Sequence, residues 1–337
     1  MMKTLICKSP GKFEYAETDI IQPDRGELLV KINKIGICGT DLHAFAGNQA
    51  FFSYPRILGH ELAGEIAEGQ PSSAIKTGSR VAVIPYLHCG KCKACLLGKT
   101  NCCESLKVLG VHTDGGMREF LSVPMDNLIL AEELTDDEIA IIEPLAIGAH
   151  AIRRAGDIQG KNVAVVGCGP IGMGIIAQAS AMGAKVFALD LQPKKLQIAR
   201  RNFRAHEVID IKENPVGQLK EATNGQMADI VFDATGNKTA LETGHQFMGY
   251  GGIYVLVGLY KDNLQFHHPS IHAKETTLLC SRNATKEDFF TVIQHLKDKN
   301  IPLESYITHR IPFEAVQHQF SRLTEPTENA IKALIEM

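Results

Sequence analysis

Asn162-Val163-Ala164-Val165-Val166-Gly167-Cys168-Gly169-Pro170-Ile171-Gly172 is the stretch that settles the architecture of the second half of the chain. Its first five residues form a short apolar run of the kind buried on both faces of a parallel sheet, and a helical pattern follows to Met182. Between the two stands G-x-G-x-x-G, in the strand-to-helix context the motif requires. Gly167, Gly169 and Gly172 permit a tight turn and close approach of a pyrophosphate to the helix N-terminus beside Pro170 and Ile171, where unpaired N–H groups favour an anion. The next apolar run, residues 185–189, ends in Asp190, eighteen residues past Gly172. An acid there hydrogen-bonds a ribose 2′-hydroxyl and repels a 2′-phosphate, so NAD is expected over NADP. Lys194 and Lys195 temper that preference, since lysines near a 2′-phosphate would tolerate NADP.

Further strands are expected at 208–209, 229–233, 253–257 and 277–280, with helices starting near Pro193, Pro215, Lys238 and Lys286. Six strands alternating with helices predict an α/β, doubly wound parallel sheet. Thr235, Val257, Gly258, Ser281, Arg282 and Asn283 then fall at the strand ends, where this fold takes the nicotinamide end of its ligand. His267-His268 reads as a solvated loop.

The first half has another rhythm. Residues 28–35, 64–66 and 80–84 are β-rich and punctuated by Gly and Pro, which predicts a barrel-like β module with polar clusters in its loops. One cluster is Gly36-Ile37-Cys38-Gly39-Thr40-Asp41-Leu42-His43, completed by Gly59-His60-Glu61. A thiolate, an imidazole and a carboxylate are a catalytic-zinc inventory, because three protein ligands leave a fourth position open. Asp41 reads as a turn residue or as an acceptor orienting a metal-bound imidazole. His43 fits a proton path from Thr40 better than ligation.

A second cluster, Cys89, Cys92, Cys95 and Cys103, has the spacing C-x2-C-x2-C-x7-C, and four thiolates close a tetrahedral shell around a structural zinc. Cys102 is left a bystander. Further on, Thr135-Asp136-Asp137-Glu138 is a capping box. The helix it starts is expected to kink or end at Pro144, directly after Glu143, with a second segment over residues 145–154. Glu143 thus becomes a connector carboxylate facing a cleft.

The 337 residues suggest roughly two domains of about 100–200 residues each. A net charge of −3 gives no electrostatic reason to expect nucleic acid, and no apolar run approaches the ~18 residues of a membrane span. The N-terminal apolar run is too short for a signal peptide, so a cytoplasmic protein acting on a small molecule is expected.

In this order, the two zinc signatures and the dinucleotide motif resemble the zinc-containing medium-chain alcohol dehydrogenase superfamily across essentially the whole chain. The resemblance implies a GroES-like catalytic domain at residues 1–147 with a structural-zinc lobe at about 86–106, a Rossmann NAD-binding domain at 148–296, and a segment at 297–337 returning to the first. It implies two zinc ions per chain and a homodimer or homotetramer. Glu61 after His60, and Ile142-Glu143-Pro144-Leu145-Ala146, look like the polyol and threonine dehydrogenase branch. By that likeness Cys38, His60 and Glu61 bind catalytic zinc, Glu143 exchanges with Glu61 or water, and Thr40 and His43 form the relay. The phrases at residues 47–56 and 100–104 are similar to bacterial L-galactonate 5-dehydrogenases, which oxidise a sugar-acid hydroxyl to a ketone. L-threonine or polyol oxidation is the alternative. For an aldonate substrate, Arg56, Arg118 and Arg282 are the candidate carboxylate partners.

Overall fold

The computed structural model describes residues 1–49, 52–69, 75–325 and 329–337. Ala50 and Phe51, part of the phrase at 47–56, lie outside them. The chain forms two compact units, Met1–Glu143 with Ile307–Met337, and Pro144–Tyr306.

In the first unit, β1 (Met2–Ser9) and β2 (Lys12–Thr18) form a hairpin. Strands β3 (Glu27–Ile37), β4 (Glu61–Gly69) and β5 (Arg80–Val83) are laid antiparallel. The short ribbon β6 (Tyr86–Leu87) and β7 (Lys107–Val108) closes the base of the four-cysteine lobe. Strand β8 (Phe120–Pro124) pairs with β3, and β9 (Leu128–Leu130) pairs with β5.

The second unit holds β10 (Asn162–Val166), β11 (Lys185–Asp190), β12 (Glu207–Asp210), β13 (Ala228–Asp233), β14 (Met248–Leu256) and β15 (Thr277–Cys280). All pair in parallel, in the order β12-β11-β10-β13-β14-β15. That order reverses direction beside β10, the switch point at which such sheets bind dinucleotides. Helices Pro193–Asn202, Pro215–Ala222, Lys238–Thr243 and Lys286–Lys297 start where the sequence places them. Proline opens the first two because its missing N–H has no partner in a first helical turn. Ala164, Val166, Phe187, Leu189, Val231 and Tyr254 belong to one buried core of this unit.

The tail supplies β16 (Ile307–Pro312) and β17 (Lys332–Glu336), and β17 pairs antiparallel with β3. It also brings Phe320 against Phe13 and Phe45, with ring centroids 5.0 and 5.3 Å away, so the helix Gly39–Phe45 is anchored from below by aromatic packing.

Two expectations shift. The helix carrying Glu143 runs unbroken over Ile142–Ala155, and the break falls earlier, at Ile141 after Asp136–Ala140. Pro144 lies in the first turn, where a proline forfeits no helical hydrogen bond and neither kinks nor ends the helix. The units divide after residues 143 and 306, where 147 and 296 were expected. Leu145 O accepts from Gln178 Nε2 at 3.1 Å, and Tyr306 donates to Pro170 O at 3.1 Å, so both flanks pack within the nucleotide-binding unit.

Candidate active site

Strand β3 ends at Ile37 and the chain turns at Cys38 into the helix Gly39–Phe45. Strand β4 begins at Glu61, directly after His60. The register sets Gly36 opposite Glu61, and a Cβ on Gly36 would lie 1.9 Å from Glu61 Oε2, so only glycine leaves the carboxylate its seat. Asp41 joins the two loops: its Oδ2 accepts from Cys38 N at 2.9 Å and its Oδ1 from Gly59 N at 3.1 Å. The same Oδ1 is 3.7 Å from His60 Nδ1. Asp41 is thus both turn residue and carboxylate beside the imidazole, fixing the spacing of the donors it does not itself supply.

Cys38, His60 and Glu61 each offer a donor atom within 4.8 Å of the others. His60 Nδ1 is buried without a hydrogen-bond partner. Burial opposes the charge of this imidazole, but the anions Asp41, Cys38 and Glu143 outweigh it and hold its pKa well above the ordinary value. An imidazole nitrogen without a partner, with sulfur and oxygen donors beside it, fits zinc.

Glu143, on the helix Ile142–Ala155, is outside the three donors that share the 4.8 Å group but feels the charges of His60 and Glu61. It is buried and accepts a hydrogen bond from the Tyr86 hydroxyl. Burial and the charge of Glu61 raise its pKa to about 7, against the pull of His60, Tyr86 and Lys332. Two of these neighbours escaped the sequence reading. Tyr86 stands in an apolar strand and carried no signal. Lys332 lies 271 residues from Glu61, yet its Nζ donates to both Glu61 oxygens at 2.7 Å and to Ile37 O at 3.0 Å. Glu61 is 0 % and Lys332 1 % exposed, so the pair is desolvated completely. A single lysine inside the apolar run Ala330-Ile331-Lys332-Ala333-Leu334-Ile335 was the available clue.

Thr40 and His43 stand three residues apart on the helix Gly39–Phe45, and therefore on one face of it. His43 is exposed, and its Nδ1 donates to Asn48 Oδ1 at 3.1 Å, which leaves Nε2 as the proton acceptor.

Cys89, Cys92, Cys95 and Cys103 bring their sulfurs within 4.8 Å of one another. Cys89 N and Ser105 N approach Cys103 Sγ at 3.3 and 3.4 Å, and Cys92 N approaches Cys89 Sγ at 3.4 Å. Backbone N–H groups of Glu104 and Cys95 pull the Cys92 thiol down to about 6. Amides aimed at sulfur stabilise thiolates, the form that binds zinc. Cys102 is exposed and outside the group.

In the second unit a Cβ on Gly172 would lie 1.7 Å from Gly167 O, while one on Gly169 would meet nothing within 4 Å. The turn is therefore tight at Gly172 and open at the N-terminus of the helix Pro170–Ala181, the room a pyrophosphate takes. Asp190 ends β11, accepting from Cys168 N at 2.6 Å and Gln192 N at 2.8 Å, and a carboxylate so held retains lone pairs for ribose hydroxyls. Burial and the charge of Asp190 push the Cys168 thiol up, and the charge of Lys195 pulls against them. Val257 N and Gly258 N both donate to Asp233 O at 2.9 Å, Thr235 Oγ1 to Asp233 Oδ1 at 2.7 Å, and Asn283 turns with φ 52°.

The three arginines are not alike. Arg282 belongs to the second unit. Arg56 and Arg118 line a pocket whose walls include none of Cys38, His60 and Glu61.

Residues 24–133 match the family described as alcohol dehydrogenase GroES-like domain, and residues 170–298 that described as zinc-binding dehydrogenase. The chain belongs to the zinc-dependent alcohol dehydrogenases. It is 43% identical over 335 residues to L-galactonate-5-dehydrogenase of Escherichia coli strain K12, covering 99% of this chain and 98% of that one. Among solved structures it is similar to a short chain alcohol dehydrogenase from E. coli CFT073 complexed with the cofactor NADH, with a TM-score of 0.93 and 30% identity over 100% and 99% of the two chains. L-Idonate 5-dehydrogenase from E. coli aligns with a TM-score of 0.91 and 25% identity over 100% and 98%.

Proposed function

We propose that the chain oxidises a secondary alcohol of a sugar acid with NAD, taking the C5 hydroxyl of L-galactonate or a related aldonate to a ketone. The observation that carries the chemistry is the joined donor set Cys38, His60 and Glu61 with its orphaned imidazole nitrogen. The substrate class rests on the 43% identity to L-galactonate-5-dehydrogenase along the whole chain.

When bound, zinc supplies the Lewis acidity that lowers a hydroxyl pKa, and NAD supplies the hydride acceptor. Cys38 and His60 would hold the metal. Lys332 already engages both oxygens of Glu61, so Glu143 is the carboxylate left to complete the shell or to orient a water. Tyr86 fixes the orientation of Glu143 by donating to it. The Thr40 hydroxyl takes up the substrate proton and passes it to His43, whose ring opens to solvent. Asp190 receives the adenosine ribose and turns away a 2′-phosphate. Cys89, Cys92, Cys95 and Cys103 would hold a second zinc of structural role. The family likeness further supports a homodimer or homotetramer working in the cytoplasm.

The test is NADH production across aldonates, polyols and L-threonine, with L-galactonate expected to give the highest kcat/KM. Activity on polyols or threonine alone would overturn the substrate, and activity on none of them the branch. Cys38→Ser should abolish turnover and keep NADH binding. Glu143→Gln should lose more catalytic zinc than Glu61→Gln; the reverse order would make Glu61 the third ligand.

A further inference from the structure

On the first unit, β1, the end of β2 and the loops at Pro55–Ile57 and Asp114–Arg118 surround a pocket of about 310 Å³. Met2, Ile6, Ile21, Pro55 and Ile57 give it an apolar wall. The pocket also holds a guanidinium that no hydrogen bond satisfies. Arg118 is 6% exposed, its Nε is buried with no partner, and no described residue accepts from the rest of its guanidinium. The charge of Asp114 acts on it, but Asp114 Oδ1 accepts from Ile57 N at 3.1 Å and Arg56 Nη1 at 3.4 Å and makes no hydrogen bond to Arg118. Arg56, also donating to Ser53 Oγ at 3.0 Å, keeps a buried Nε without a partner too. Polar groups this deep are ordinarily satisfied, and a guanidinium without an acceptor is among the costliest exceptions.

The geometry points to a binding site for a small organic carboxylate on Arg118 and Arg56, separate from the metal donors. A guanidinium fork matches the two oxygens of a carboxylate, and the apolar wall suits a short carbon chain behind it. Asp114 and Asp19 also line the pocket and leave it no surplus positive charge, which disfavours a multiply charged phosphate, so the attraction for a monoanion comes from the unfilled guanidinium donors of Arg118. The inference does not rest on the dehydrogenase reading. The proposed substrate is nevertheless itself a carboxylate, so the test must tell the two places apart.

The zinc-loaded, full-length protein is titrated by calorimetry with butyrate, its uncharged isostere butyramide, and inorganic phosphate. Butyrate should saturate one site per chain with a Kd of about 1 mM or below, and butyramide should not bind. Arg118→Met should weaken butyrate by about tenfold or more. Ile21→Trp, which fills the exposed mouth without touching the arginines, should do the same and serves if the Arg118 variant does not fold. Asp19→Asn should tighten binding by removing a like charge. Cys38→Ser should leave the affinity unchanged, since the metal centre is elsewhere. The proposal is overturned if butyrate does not saturate, if phosphate binds more tightly than butyrate, if neither pocket variant weakens binding, or if Cys38→Ser abolishes it.

Discussion

Replacing Lys332 with methionine removes one half of the most deeply buried ion pair beside the metal donors. Nζ lies 2.7 Å from each Glu61 oxygen, and neither side chain exposes more than 1% of its surface, so water cannot take over as partner. Glu61 would then be a bare carboxylate facing the anions Cys38 and Glu143. Leaving one member of a buried pair alone costs about 3–5 kcal/mol, far above the value of an exposed pair. For a domain of this size that is a fall in Tm of roughly 6–20 °C. Thermal unfolding of the zinc-loaded protein measures it, and chelation should widen the deficit because a bound dication screens Glu61. Adding Glu61→Gln to Lys332→Met should restore most of the loss, since the remaining side chains are neutral. A single variant within about 1 kcal/mol of the parent, or a double variant no better than the single, would refute the assignment of Lys332 as the counter-charge of Glu61.

Asp190→Ala should raise the KM for NAD about tenfold and narrow the preference over NADP, because the ribose acceptor and the repulsion of a 2′-phosphate are lost together; unchanged steady-state ratios would displace Asp190 from the ribose. Cys92→Ser should release one of two zinc ions per chain and lower Tm while the remaining ion stays with Cys38 and His60, as metal analysis of the purified variant would show. Asp137 pairs with Arg310 and Lys34 at 2.5 and 2.6 Å, and the Arg310 hydrogen bond is the largest cause holding its pKa below the ordinary value of 3.8. A folded-state pKa that is depressed adds stability above the unfolded value and loses it as pH falls through the folded one. Acid titration of stability should therefore show a loss beginning near pH 4 that is smaller in Asp137→Asn; equal profiles would mean the cluster is screened by solvent.

The nucleotide-binding unit was legible because its strands are buried on both faces and read as apolar runs, each followed by a helix whose first turn announces itself with Pro or Lys. The metal donors were legible for a different reason: thiolates and imidazoles in glycine-rich turns have few uses besides ligation. Less visible were contacts made by strand pairing across long intervals. Nothing local marks Tyr86 as the donor to Glu143, or Lys332 as the partner of Glu61, because each is one residue in an apolar strand whose register only the assembled sheet determines. Pro144 was misread since proline ends a helix from within but is at ease in its first turn, and sequence alone did not say which turn it occupied. The arginines show the same limit. Their charge suggested a substrate contact, whereas Arg56 and Arg118 line a pocket that includes none of Cys38, His60 and Glu61, and Arg282 belongs to the second unit.

The pairing of β17 with β3 also orders events during synthesis. Cys38, His60, Glu61 and Glu143 leave the ribosome early, but the ammonium that neutralises Glu61 is made 271 residues after it, once the entire nucleotide-binding unit has emerged. Until then the donor cluster is an excess of negative charge with an unfilled place in its sheet. A nascent chain stalled before Lys332 would hold the donors without the strand that seats them, so metal loading and closure of the first unit should wait until β17 has been made.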